Sequence, residues 1–397
     1  MNVGEIVTLL KEHKYNPIVL KSDDGKKQVV VAPSLVGRVM CATMDGENGT
    51  TNAVINEAQI KKGFSTSGYA ARSGIGDGWN SFGGAERIWF APEGGKYALF
   101  FKPDGEQIWP NYFMAAPFNS MQYKVVSSAK DSKSVTFAAP VKLTNYQGRH
   151  IELDIARKIS LLEYCPFVTG IDEAVQFVGF ESRTIAKNAG SEPLKKESSP
   201  VSLWTVGQFN CTEHTVILIP FRKGPVSELG EPVTTEYFRC QLTEPNMPKN
   251  YWRTVDGCVL LKANGKVQTK LEMLKRRAIG RIASVDLAAN TMTIVNTDVY
   301  HELDYVASFF LPYKGDDFDG GVLSAFILKG TIGDPNNPPL YELETCSPIM
   351  VLRPQEKFGH TVCTYTLRGS SDAINEICKR FFNVNVQTLK QFDAQSH

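Results

Sequence analysis

Residues 340–369 read LYELETCSPIMVLRPQEKFGHTVCTYTLRG. The first seven residues form a strand-like run, and side chains alternate along a strand, so Glu342 and Glu344 share one face, roughly 6.5–7 Å apart. A carboxylate pair inside an apolar strand is costly if it is buried without partners. It therefore reads as a solvated sheet face, as a Glu paired with Arg, or as a general base with a neighbouring anchor. After Pro348 and Pro354 comes HTVCTYTL (360–367), a second strand that opens at His360. A neutral imidazole near a carboxylate would complete an acid/base pair, although a histidine at a strand start is more often structural.

The same texture extends through most of the chain. From about Pro17 onward, short apolar or alternating runs recur, mostly every 10 to 20 residues: QVVVA (28–32), KYALFFK (96–102), QYKVVSSA (122–129), SVTFAAPV (134–141) and HIELDIARKISLL (150–162). Later come HTVILIPF, CVLLKA, RIASVDL, TMTIVNT, YVASFFLPY, VLSAFIL and IMVL. They are rich in Val, Ile, Thr, Tyr and Phe, which suit a pleated, half-buried surface. Turn signals separate them at DDG (23–25), NG (48–49), DG (104–105), ANG (263–265) and AAN (288–290), and KANGKVQT reads as a hairpin. Helices are expected only at the ends. Val3, Ile6, Leu9 and Leu10 share a face within residues 1–16, and Ser371 and Asp372 offer a cap for a helix within 370–383 whose core face is Ile374, Ile377, Cys378 and Phe381. No strand–helix alternation and no repeat period is present. The expectation is an all-β chain: one large antiparallel sandwich domain over residues 1–397 with a short helix at each end.

The 397 residues carry 43 basic and 42 acidic side chains for a net charge of +1, which argues against a nucleic-acid partner bound through a strong positive field. No window approaches the length of an apolar membrane span. The opening MNVGEIVTLLKEHKYN lacks the parts of a secretory signal, so the chain reads as cytoplasmic as it stands, and as periplasmic or secreted if a signal has been trimmed. The eight cysteines form no CxxC pair and read as buried free thiols, in keeping with a reducing compartment. Walker, HExxH, GxSxG and GxGxxG motifs are missing, and the six histidines have no ligand spacing, so no metal or cofactor is expected.

Other candidate sites are few. GGAERIWFAPEGG (83–95) combines paired glycines with Arg87, Trp89 and Glu93. Arg and Glu suit vicinal hydroxyls and Trp offers a flat face, so the cluster reads as a sugar site or as a strand between tight turns with a structural Arg–Glu pair. The run LKRRAIGR (274–281), with Lys275, Arg276, Arg277 and Arg281, reads as a phosphate or acidic-sugar attractor or as a solvated face. The irregular Gly- and Ser-rich stretch 63–84 is a candidate functional loop. His150, His214 and His301 read as structural.

GGAERIWFAPEGG resembles the GG-x-R-[IL]-W-x-APE signature of proteins with the galactose mutarotase-like supersandwich fold. Residues 340–369 are similar to that group's closing pattern, E-x-E-S-x-SP, PGE and H-T-x-x-T-Y, with PQE standing here for PGE. FESRTIAKNAG (180–190) and SLWTVGQFN (202–210) fall where the group has a strand with an N-x-G turn and an aromatic strand. The resemblance runs from about residue 30 to 383 and is nearest to a bacterial family of uncharacterised proteins with this fold. It implies a β-supersandwich with a sugar on its concave face. It also implies a strand glutamate as general base, matched by Glu344 or Glu342, and an arginine that holds the sugar, matched by Arg87. The histidine acid of the epimerases has no counterpart in position, and His360 is the substitute candidate. The expected function is thus a carbohydrate-active protein resembling aldose 1-epimerases, with catalytic Glu344, Glu342 and His360 and sugar-binding Arg87, Trp89 and Glu93. The alternatives are a noncatalytic carbohydrate-binding protein and, behind it, a glycoside hydrolase or polysaccharide lyase.

Overall fold

A computed structural model describes residues 1–64, 80–171, 174–238, 250–309, 315–334 and 338–395. Most of the 63–84 stretch, Cys240 and His397 lie outside them. In chain order, helix α1 (Val3–Glu12) precedes three strands, β1 (Ile18–Lys21), β2 (Gln28–Ala32) and β3 (Arg38–Thr43), and then helix α2 (Glu57–Lys62). β4 (Arg87–Ala91) is followed by the one-turn helix α3 (Ala116–Asn119). A four-strand meander then runs through β5 (Lys124–Ser128), β6 (Ser134–Thr144), β7 (His150–Leu162) and β8 (Gln176–Asn188). β9 (Ser202–Asn210) and β10 (Thr215–Pro220) lead to the one-turn helix α4 (Val226–Leu229). The second half holds β11 (Trp252–Val255), β12 (Cys258–Lys262), β13 (Thr269–Leu274), β14 (Arg281–Asp286), β15 (Thr291–Thr297) and β16 (Gly321–Leu328). The chain closes with β17 (Leu340–Cys346), β18 (Lys357–Arg368), α5 (Ser371–Phe382) and α6 (Val386–Ala394).

These strands make three sheets, and every pairing between named strands is antiparallel. The largest has ten strands in the order β11-β12-β10-β14-β15-β18-β8-β7-β6-β5, the second has five in the order β13-β16-β17-β9-β4, and β1-β2-β3 form the third. The arrangement is the large antiparallel sandwich expected from the strand texture. In both large sheets a strand of the 340–368 region joins early strands to late ones: β18 lies between β15 and β8, and β17 between β16 and β9.

One face of the ten-stranded sheet packs on the other two sheets. Phe137, Ile155, Phe180, Ile217, Ile282, Val295 and Val362 share a core with Val30, Met40, Phe209 and Leu343. Its opposite face carries a second apolar cluster, with Leu218, Leu260, Val285, Ile294 and Leu367 covered by Ile377, Phe382, Leu389 and Phe392 of α5 and α6. The three- and five-stranded sheets meet at a seam where Val39 and Glu86 form an antiparallel bridge. A glycine suits that seam: Gly84 has φ +113°, and a Cβ there would stand 3.0 Å from the Val39 carbonyl oxygen.

α1 carries a capping box, with Asn2 Oδ1 accepting from the Glu5 N–H at 2.8 Å and Glu5 accepting from the Asn2 N–H at 2.8 Å. α5 is capped by Ser370, one residue earlier than expected, and a second C-terminal helix, α6, follows it. KYALFFK (96–102) is not a strand but an irregular segment in which Tyr97, Ala98, Leu99, Phe100 and Phe101 are buried. IMVL (349–352) and the described part of YVASFFLPY make only isolated bridges, Leu194 to Leu352 and Tyr305 to Asp319. KANGKVQT is not a hairpin, since Lys262 ends β12 in the ten-stranded sheet and Thr269 opens β13 in the five-stranded one. The DDG and AAN turns do close hairpins, β1 to β2 and β14 to β15.

Candidate functional site on the five-stranded sheet

β17 packs Tyr341 and Leu343 toward the ten-stranded sheet, where the Tyr341 hydroxyl lies 2.8 Å from Ser284 Oγ on β14. Alternation sends Glu342 and Glu344 to the opposite face. Cross-strand register aligns that face into rows. Arg87 lies opposite Val206, Val206 opposite Glu344, Glu344 opposite Ser324, and Ser324 opposite Glu272. The next row runs Gln208, Glu342, Phe326, Lys270.

The charges on this face are buried and mutually paired. Arg87 Nη2 donates to Glu342 Oε1 at 3.1 Å, and Gln208 Nε2 donates to the same oxygen at 2.7 Å. The Arg87 guanidinium also lies 4.1 Å from the Trp89 ring centroid. Glu344 Oε2 accepts from Lys270 Nζ at 2.9 Å and from Trp204 Nε1 at 2.9 Å. Lys270 sits over two aromatic rings, 4.8 Å from the Trp204 centroid and 4.5 Å from that of Tyr237. Beyond the cis Ala91–Pro92 peptide, Glu93 accepts from the Tyr112 hydroxyl at 2.6 Å and from the Tyr237 hydroxyl. Trp89 donates to the Phe118 carbonyl at 3.1 Å and packs on Phe100 and Trp204, so the irregular segment 97–121 covers this end of the face.

Two carboxylate oxygens are left open: Glu344 Oε1 and Glu272 Oε2 are buried and have no hydrogen-bond partner. Burial pushes the Glu344 carboxyl above its ordinary range, against the pull of Lys270 and Trp204. Burial also raises Glu272, to about 7, with Lys270 opposing and the charges of Glu344 and Glu93 adding to the rise. Burial alone would lower the Lys270 ammonium, but Glu344, Glu272 and Glu93 outweigh it and hold it up. The face therefore offers a carboxyl anchored by an ammonium, and two strands away a second carboxyl that holds its proton near neutrality. Two buried carboxyls in such unequal surroundings can divide base and acid roles.

Arg87, Trp89, Glu93, Glu342 and Glu344 thus come together. His360 does not join them. It lies on β18 in the ten-stranded sheet, opposite Thr184, with Nε2 buried and unpartnered, and burial lowers it to about 4. Three other histidines are bonded elsewhere: His150 with Thr144 at 3.0 Å, His214 with Asp393 at 2.8 Å, and His301 with the Lys275 carbonyl at 2.8 Å. The basic run is dispersed. Lys275 pairs with Asp304 at 3.0 Å, Arg276 with Asp319 at 3.7 Å, and Arg277 is buried among the carbonyls of Arg222, Gly224 and Gly230.

Sequence reasoning passed over Lys270 and Glu272. Their signal was present in TKLEML, which sets two charges at i and i+2 in an apolar strand just as YELET does. Trp204 and Gln208 carry no local mark, because only strand order brings β9 beside β17.

Residues 2–393 match a family of unknown function, DUF6786. No curated protein sequence matches the chain. Among solved structures, the Slr1438 protein from Synechocystis sp. PCC 6803 is similar over 90% of this chain and 97% of its own, with 11% identity and a TM-score of 0.51. A galactose mutarotase-like protein from Lactobacillus casei ATCC 334 is similar over 88% of this chain and all of its own (100%), with 11% identity and a TM-score of 0.50. At such identity the fold is what is shared, and the chain has the galactose mutarotase-like sandwich fold.

Proposed function

The chain belongs to DUF6786, a family of unknown function, and we propose that it is a carbohydrate-active protein that binds a sugar over the polar face of the five-stranded sheet and exchanges protons at the anomeric centre. The observation that carries this reading is the pair of open, buried carboxylate oxygens, Glu344 Oε1 and Glu272 Oε2, on one sheet face among aromatic rings and paired cations. Opening a pyranose ring needs a base to take the proton from the C1 hydroxyl and an acid to protonate the ring oxygen. Glu344, held through Oε2 by Lys270 and Trp204, is the base. Glu272, protonated near neutrality, is the acid. The C1–O bond to the ring breaks, the aldehyde rotates about C1–C2, and reclosure runs with the roles reversed. Arg87, Trp89 and Glu342 hold the sugar beside them, and Glu93 fixes Tyr112 and Tyr237 at the rim.

The direct test is exchange NMR between α and β anomers of pooled aldoses and hexose phosphates. The expected result is faster exchange for at least one sugar, abolished in Glu344→Gln with the circular dichroism spectrum unchanged. Exchange that survives Glu344→Gln would remove the residue from the mechanism. One feature favours noncatalytic sugar binding as the second reading: no imidazole accompanies the carboxylates among the described residues, and Glu342 is already committed to Arg87 and Gln208. Saturation transfer to a sugar without faster exchange would select it.

A further inference from the structure

β16 runs between β17 and β13, the strands that carry Glu344 and Glu272. Ser324 stands in the middle of their row, as the cross-strand partner of Glu344 on one side and of Glu272 on the other. Its sequence neighbours Leu323 and Ala325 pack in the main core, so its own side chain shares the polar face with both carboxyls. It is 5% exposed. Gly321 leaves room beside it. A Cβ at Gly321 would stand 3.5 Å from the Glu272 carboxyl carbon and 3.6 Å from Ser324 Oγ. Carboxyl and hydroxyl therefore border one small space that the glycine keeps free of side-chain atoms. The two glutamates whose carboxyls keep an open oxygen flank a single hydroxyl.

The C1 hydroxyl and the ring oxygen of a pyranose are bonded to the same carbon, so base and acid must serve one anomeric centre. The strands of Glu344 and Glu272 are two spacings apart, roughly 9.5 Å. A proton donor acts within about 2.6–3.2 Å of the atom it serves, directly or through one intervening oxygen. A serine hydroxyl can accept one hydrogen bond and donate another at the same time. We propose that Ser324 is a further catalytic residue, a relay that passes the Glu272 proton to the ring oxygen. The inference rests on the reading of this face as a site of anomeric exchange. On ring opening Glu344 takes the proton of the C1 hydroxyl, whose electrons form the aldehyde carbonyl. The bond from C1 to the ring oxygen breaks, and its electron pair stays on that oxygen. The ring oxygen takes the Ser324 proton, and Ser324 takes the Glu272 proton. The serine ends neutral, Glu344 protonated and Glu272 ionised, so charge is conserved. Reclosure returns both protons along the same path.

The test is exchange NMR on the full chain with the aldose or hexose phosphate that it turns over fastest, resolving kcat and KM. The variants are Ser324→Ala, Ser324→Thr, Glu272→Gln and the double variant Ser324→Ala with Glu272→Gln, each with its fold checked by circular dichroism. In Ser324→Ala the expected result is a kcat lower by about tenfold or more with KM little changed. Ser324→Thr, which keeps the hydroxyl, should recover most of the loss. In the Glu272→Gln background, Ser324→Ala should cost less than about twofold, because the proton it passes is already gone. An equal loss in both backgrounds would separate the serine from Glu272 and overturn the relay. A raised KM with unchanged kcat would make Ser324 a binding contact and overturn it too. Equal losses in the Ala and Thr variants would trace the effect to packing, and a wild-type kcat in Ser324→Ala would remove the residue from the reaction; either sinks the proposal while the anomeric reading stands. A wild-type chain that speeds exchange of no sugar would instead refute that reading, and the relay with it.

Discussion

Around the Lys270 ammonium stand the carboxylates of Glu344, Glu272 and Glu93, and this imbalance governs what single substitutions do. Removing one member of a buried pair leaves the other charge stranded, at a cost of about 3–5 kcal/mol. Lys270→Met should therefore lower stability by about that much, read as a shift in the urea midpoint. The double variant Lys270→Met with Glu344→Leu should recover most of the loss, and a double variant as unstable as the single would place the cost elsewhere. Glu272 gives a pH signature. Its folded value of about 7 stands above its ordinary 4.5, so the stability it contributes is fully present below 4.5 and is lost as pH rises through 7. The slope attributable to it approaches about 1.4 kcal/mol per pH unit, and Glu272→Gln should flatten it in urea titrations at pH 5 and pH 7.5. Anomer exchange should fall over the same rise, as the donor loses its proton. At this scale the carboxylate pair of β17 was legible, because alternation alone puts two glutamates on one face. Its partners were not. Lys270 and Trp204 reach Glu344 from 74 and 140 residues away in sequence.

Elements followed local pattern wherever the pattern had room to repeat. β7 alternates buried with partly or fully exposed residues along its length, and its sequence alternates with it. KYALFFK has strand composition too, yet Phe100 stacks on Phe118 with ring centroids 4.1 Å apart and Phe101 meets Tyr112 edge-on at 5.6 Å. Its aromatic side chains are spent in covering the polar sheet face, which composition cannot distinguish from pairing in a sheet. The loop KANGKVQT misled for a related reason: a tight-turn sequence can also carry the chain from one layer to the next. β5 is the opposite case, a true strand with little to bury. It forms one edge of the ten-stranded sheet, Val126 is 65% exposed, and a bulge interrupts its pairing between Val125 and Ser127. Exposed apolar edges invite association between chains, and bulges blunt them. Val126→Asp should change stability by no more than about 0.5 kcal/mol and lower light scattering at high concentration. A larger loss would mean that the valine packs in solution.

At the scale of the molecule, the three layers (C-terminal helices, ten-stranded sheet, and the two smaller sheets) place the glutamates of β17 on the face of the five-stranded sheet turned away from the ten-stranded one. That explains how a strand as buried as β17 can carry two glutamates: one side of it belongs to the apolar interior and the other to a closed polar network. The layer order was legible only as a class, a large antiparallel sandwich, because the order of strands within each sheet is decided by long-range pairing. β17 and β18 are each the splice between the early and late halves of their sheet. A growing polypeptide cannot complete the five-stranded sheet until β17 has left the ribosome, nor the ten-stranded sheet until β18 has. Chains emerge at about 5–20 residues per second, so β9 waits roughly 7–27 s for β17. Through that interval its charged face and its apolar face stand without a neighbour on one side. Nascent chains arrested at residue 339 should accordingly be cut by protease within β8 and β9, and chains extended past α5 should resist. Protection at 339 would show that the early strands hold together unaided. Translation speed across residues 211–339 thus becomes a variable of assembly, and synonymous codon changes there should alter soluble yield without altering a single amino acid.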